Sequence, residues 1–76
     1  MNEQKFIELF IDLFDDQPEV TINLSTVFKD LDDWDSLVSL SFMAMISEEY
    51  GVEITAEEVR TKNELGEIVE LIANRL

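Results

Sequence analysis

A chain of 76 residues with neither cysteine nor histidine has no covalent or imidazole–metal staple and depends on an economical apolar core. Disulfides and thiolate metal sites are out of reach, and there is no imidazole to bind a metal or to act as a base. A domain of this size buries only roughly 60% of the surface its unfolded chain exposes, so its core has little to spare. At 46% apolar and 30% charged the composition is that of a folded domain rather than of a disordered acidic tail. Most enzyme chemistry is excluded on the same grounds. The charge is lopsided: 18 carboxylates face 5 cations, a formal −13. Nucleic acid phosphates and anionic lipid would repel such a surface, and basic protein surfaces are its natural partners. Met1-Asn2-Glu3-Gln4-Lys5 lacks the pattern of a signal peptide, and no apolar run is long enough for insertion into a membrane. The expectation is a cytoplasmic monomer.

Apolar periodicity supplies the architecture. Phe6, Leu9, Phe10, Leu13 and Phe14 recur at helical spacing and predict a helix over 3–14, ended by Asp15-Asp16-Gln17-Pro18. From 15 to 35 no period is sustained. Val20, Ile22, Leu24, Val27, Phe28 and Leu31 are scattered anchors in a loop longer than compact domains usually carry. A second helix is expected over 36–50, with Asp35 as N-cap and Gly51 as left-handed terminator. The capping box Thr55-x-x-Glu58 predicts a short helix over 56–60. A second box, Thr61-x-x-Glu64, starts a last helix over 62–74. Between helices two and three, Val52-Glu53-Ile54-Thr55 alternates like a strand, but a lone strand finds no partner here and the segment reads as a linker with two buried anchors. The fold expected is all-α: a single four-helix bundle over 1–76, three helices long and one short.

Within the second helix, Leu37, Leu40, Met43, Ala44 and Ile46 are assigned to the core. Val38, Ser41, Met45 and Glu49, at spacings of three and four, then form the outward face, which is the candidate partner surface. Trp34, between acidic residues just before the helix, covers the bundle end or contacts a ligand beside Ser36.

Ser36 is the residue with most chemistry open to it. It falls at the first position of a helix, where backbone N–H groups lack partners and an attached anion is favoured. A nucleophilic role fails, because no histidine can take its proton and neither Lys5, Lys29 nor Lys62 sits in a recognisable serine–lysine motif. Modification suits it better than catalysis. The acidic run Asp30 to Asp35 suggests calcium but fails the EF-hand pattern, which needs Gly at its sixth position and Glu at its twelfth where this chain has Asp35 and Ser41. No dedicated metal site is expected.

Asp35-Ser36-Leu37, opening a long helix after an extended acidic loop, resembles the acyl carrier protein family. The likeness continues without a gap to the exit Tyr50-Gly51-Val52-Glu53-Ile54, takes in Phe28-Lys29-Asp30-Leu31 and the start of the last helix, and so covers the whole chain. The resemblance implies that Ser36 receives 4′-phosphopantetheine from coenzyme A through a phosphopantetheinyl transferase, with Asp35 and Leu37 as motif neighbours. It implies a phosphoprotein that holds acyl or related groups as thioesters and is not itself an enzyme. Partners would be a loading ligase or transferase and acyl-processing enzymes with basic or apolar docking surfaces, in fatty acid, polyketide or other biosynthesis. Two departures point to a specialised member: the approach Asp33-Trp34-Asp35 is one residue longer than usual, and Val38, Ser41 and Ser47 stand where general fatty-acid carriers have acidic residues. The rival reading is an unmodified acidic helical interaction module.

Overall fold

Four helices carry the fold in the computed structural model, which describes residues 1–76: α1 (Glu3–Ile11), α2 (Ser36–Tyr50), α3 (Ala56–Thr61) and α4 (Leu65–Arg75). A short 3-10 turn at Phe28–Asp30 interrupts the long loop, and no strand forms. The all-α bundle expected from periodicity is therefore present. Its core is a cluster of 15 buried apolar residues drawn from every helix, the loop and the linker, and no buried polar or charged residue is among them.

Local signals set most boundaries. The Asp35 carboxylate accepts from the Val38 amide at 2.8 Å, and Gly51 closes α2 at φ 66°, a left-handed conformation that glycine adopts without a side-chain clash. The Thr55–Glu58 capping box opens α3, which extends one residue past Arg60 to Thr61. Two boundaries differ from expectation by three residues. α1 ends at Ile11 rather than at 14, because the Leu13 and Phe14 amides reach back three residues, to Phe10 and Ile11, in a tightened turn. Phe14 is buried all the same. Thr61 does not start the last helix. Its hydroxyl donates to the Glu58 carbonyl and it remains the final residue of α3, while Lys62 is extended. α4 begins after Glu64, where Glu67 reaches back to the amides of Asn63 and Glu64.

The loop is held by backbone pairing against the start of α4. Phe28 N–H donates to the Asn63 carbonyl, Leu65 N–H to Thr26 and Gly66 N–H to Leu24, at 3.2, 3.0 and 2.8 Å. A Cβ on Gly66 would stand 3.1 Å from that Leu24 carbonyl oxygen, so glycine lets the strap lie flat on the helix. Ile22 and Phe28 are buried as anchors, but Val20 and Val27, also assigned as anchors, are exposed. Val52 and Ile54 are the two buried residues of the linker, as expected.

α3 is fixed to α4 by Arg75, whose guanidinium donates to Glu58 Oε1 at 2.9 Å and to the Glu53 carbonyl at 2.9 Å. Arg75, with the Thr55 amide behind it, holds the Glu58 carboxyl down to about 2. A folded-state value below that of a free carboxyl means that the pair stabilises at neutral pH and that its contribution disappears as the pH falls from about 4.5 toward about 2. Glu58→Gln should therefore lower the melting temperature at pH 7, and the gap to the parent should close as the pH approaches the bottom of that window. A gap that is constant with pH would remove the ion pair from the account.

Candidate functional site

α2 carries apolar side chains on every side: Leu37, Val38, Leu40, Phe42, Met43, Ala44, Met45 and Ile46 are spread around the whole wheel. Periodicity alone cannot choose its inward face. Aromatic packing does. Phe42 is fully buried, with ring centroids 6.0 Å from Phe6, 5.4 Å from Phe10, 5.9 Å from Phe28 and 5.8 Å from Trp34. This hub turns Met45 and Ile46 into the core with it.

The consequence is a partial exchange of the faces assigned from sequence: Ile46 is buried as expected and Met43 is half-buried, but other positions change sides. Met45, placed on the partner surface, is buried, and Val38 is half-buried. Leu37 and Leu40, placed in the core, are 72% and 60% exposed, and Ala44 is exposed as well. Of the expected partner face only Ser41 and Glu49 are exposed. The outward strip of α2 is instead Leu37, Leu40, Ser41, Ala44 and Glu48, rising from Ser36 at helical spacing.

Trp34 is half-buried and belongs to the aromatic cluster, edge-on to Phe28 at 5.0 Å and to Phe42, and stacked on Phe10 at 6.4 Å. It covers the bundle end and also lines the cleft beside Ser36.

Ser36 is exposed at the first position of the 15-residue α2. Asp35 takes up the third and fourth amides of α2, that of Val38 on its carboxylate and that of Ser39 on its carbonyl at 2.9 Å. The Ser36 and Leu37 amides have no partner in the chain, and the Ser36 hydroxyl makes no hydrogen bond. Two depressions meet at this corner. On one side, between α2 and α3, lies an open cleft of about 540 Å³, walled by Leu40, Met43 and Val59 with Lys29 and Arg60 on its rim. On the other a groove of about 450 Å³ is edged by Asp15, Asp16, Asp32 and Asp33 together with Leu37, Val38 and Ser41. Asp35 borders both.

The chain matches, over residues 4–72, the model of the family described as a phosphopantetheine attachment site. It belongs to that family. This accords with the resemblance to acyl carrier proteins, whose covalent group is 4′-phosphopantetheine and whose domains work with modifying and processing enzymes. No curated protein matches the chain. No helix is long and apolar enough to cross a membrane. The corner fits the group of this family: an exposed hydroxyl, two free amides at a helix N-terminus, a cleft beside it and two cations on the rim of that cleft.

Lys29 and Arg60 are the cleft residues that spacing does not reveal. Arg60 follows a capping box with no motif of its own, and Lys29 differs from its surroundings only as a cation ahead of an acidic run. The 3-10 turn and α3 bring them to the cleft.

Proposed function

We propose that Ser36 is the attachment residue and that the chain, as a single domain over 1–76, carries acyl or related groups to partner enzymes without catalysing a reaction itself. The observation that supports this most is the exposed, unbonded Ser36 hydroxyl at the start of α2, at the mouth of a cleft and within the family match. In loading, Ser36 Oγ attacks the phosphorus of coenzyme A that bears the pantetheine. An Oγ–P bond forms, the bond to the other phosphate breaks, 3′,5′-adenosine diphosphate leaves with the electron pair, and the hydroxyl proton passes to a base of the transferase. The terminal thiol of the arm supplies the atom that holds cargo as a thioester, so the chain needs no cysteine.

The other serines suit this step less well. Ser25 N–H is tied to Asn23 in a loop turn, Ser47 Oγ donates to Glu53 at 2.7 Å, Ser39 is half-buried within α2, and Ser41 edges the acidic groove, which repels the phosphates of coenzyme A. The test is intact mass after incubation with coenzyme A and a promiscuous transferase, followed by peptide mapping. A gain of one phosphopantetheine on the Ser36 peptide supports the carrier reading. No gain with any transferase leaves the acidic interaction module.

Partner contact is proposed on Leu37 and Leu40, exposed leucines adjoining the attachment residue, in place of the Val38/Met45 face. The strip they begin has only Glu48 as an acid, which supports a specialised carrier serving a dedicated loading ligase or transferase rather than the general fatty-acid enzymes. Leu37→Asp should cut kcat/KM for transferase loading roughly tenfold, about 1.4 kcal/mol, with an unchanged melting temperature. Equal loading rates would move the docking contact elsewhere.

A further inference from the structure

Ser36 lines one of two depressions of opposite character that meet at its neighbour Asp35. The groove on the Leu37 side is edged by Asp15, Asp16, Asp32 and Asp33; the cleft on the Leu40 side has Lys29 and Arg60 and an apolar wall. Two of the five cations in a chain of 18 carboxylates are thus gathered on one side of one serine. They are not equivalent. Arg60 is paired with Glu57 on its own helix. Lys29 is half-buried, and no carboxylate lies within ion-pair distance of it. Its ammonium donates to the Arg60 carbonyl at 2.6 Å, one of the last carbonyls of α3, which lack helical partners. An ammonium has three donors, so two remain free.

We propose, resting on the reading of Ser36 as the attachment residue, that Lys29 holds the phosphodiester of the arm on the α2–α3 side, so that the arm lies along the cleft over Leu40, Met43 and Val59. The phosphodiester brings one more negative charge to a site already bordered by Asp35. Repulsion from the aspartates disfavours the Leu37 side, and the free donors of Lys29 favour the other. Because Lys29 also clasps the end of α3, one side chain ties the arm to the helix that forms the far wall of the cleft. Lys29 acts by positioning; it touches the arm and not the reacting thiol.

The test compares unloaded and loaded protein by NMR, with coenzyme A as donor of an uncharged, unacylated arm terminus. Loading the parent should shift the amides of Ser39, Leu40, Val59 and Arg60 and the Lys29 side-chain resonances, and give a phosphorus resonance displaced from that of the free phosphodiester. Lys29→Gln keeps an N–H for the Arg60 carbonyl while removing the charge, and should lose the cleft shifts and the phosphorus displacement. Lys29→Arg should keep both, and so should Asp33→Asn. Added salt should weaken the parent's response, as screening weakens a partly exposed pair. The proposal is overturned if Lys29→Gln responds to loading as the parent does. It is also overturned if the parent's shifts fall on Leu13, Val38 and Ser41 on the acidic side. Absence of any mass gain on Ser36 would overturn the carrier reading itself, an outcome distinct from loading without a Lys29 response.

Discussion

Ser36→Ala is expected to abolish loading completely while leaving the melting temperature within experimental error of the parent. The two halves of that result have separate causes. The Oγ nucleophile is gone, and no neighbouring hydroxyl can replace it: Ser39 lies nearly a full turn further along α2, half-buried, and Ser41 faces the aspartate-rich groove. The fold does not register the change, because the Ser36 side chain is exposed and unbonded and the cap of α2 is made by Asp35, not by Ser36. Alanine is also the better helix former, and exposed substitutions of this kind usually stay within about 0.5 kcal/mol. Intact mass after exhaustive treatment with coenzyme A and transferase reads the first half, and a thermal melt the second. An alanine variant that still gains a phosphopantetheine would shift the site to another serine. Ser39→Ala and Ser41→Ala, loaded in parallel, should remain substrates.

The corner was legible because its parts are local. Asp35 and Gly51 bracket α2 through capping rules that act over three or four residues, and the fold follows these rules at both ends. Where the signal was local but ambiguous, competition decided. Thr61 has the letters of a cap, yet its hydroxyl is used by the preceding turn, and Glu64 with Glu67 starts α4 instead. The ends of α1 show the complementary case: apolar spacing runs on to Phe14, but hydrogen bonding changes pattern after Ile11, and burial of a side chain does not require a helix at that residue. The face of α2 was the least legible. Eight apolar residues between 37 and 46 satisfy any inward face, and only the position of other rings, Phe6 and Phe10 from α1 and Phe28 from the loop, selects Phe42 as the residue that points inward. Such long-range information is absent from the helix itself. The same holds for Lys29 and Arg60, 31 residues apart in sequence and joined by one hydrogen bond.

Phe42→Ala should largely unfold the domain, and Leu40→Ala should leave it folded. Both positions are apolar, both lie on α2 two residues apart, and the sequence pattern places the second rather than the first in the core. Phe42 is fully buried and touches four aromatic rings, whereas Leu40 is 60% exposed on the strip that leaves Ser36. Removing a buried phenyl costs about 3–5 kcal/mol through lost transfer energy and the cavity left behind. The edge-to-face contacts with Phe6, Phe10 and Trp34 place Phe42 toward the upper end of that range, because each such pair contributes about 0.5–1.5 kcal/mol beyond area. A domain this small, at roughly 0.05–0.15 kcal/mol per residue, has about 4–11 kcal/mol in total, so a loss near the top of the range for a buried phenyl removes from roughly half to all of it. No disulfide stands behind the core to limit the damage. Urea unfolding with far-ultraviolet circular dichroism measures both variants: the Phe42→Ala midpoint should fall to low denaturant or vanish, with Phe42→Leu intermediate, and the Leu40→Ala midpoint should stay close to the parent. If the order is reversed, α2 is rotated from the orientation described, Leu37 and Leu40 belong to the core after all, and both the outward strip and the cleft beside Ser36 lose their basis.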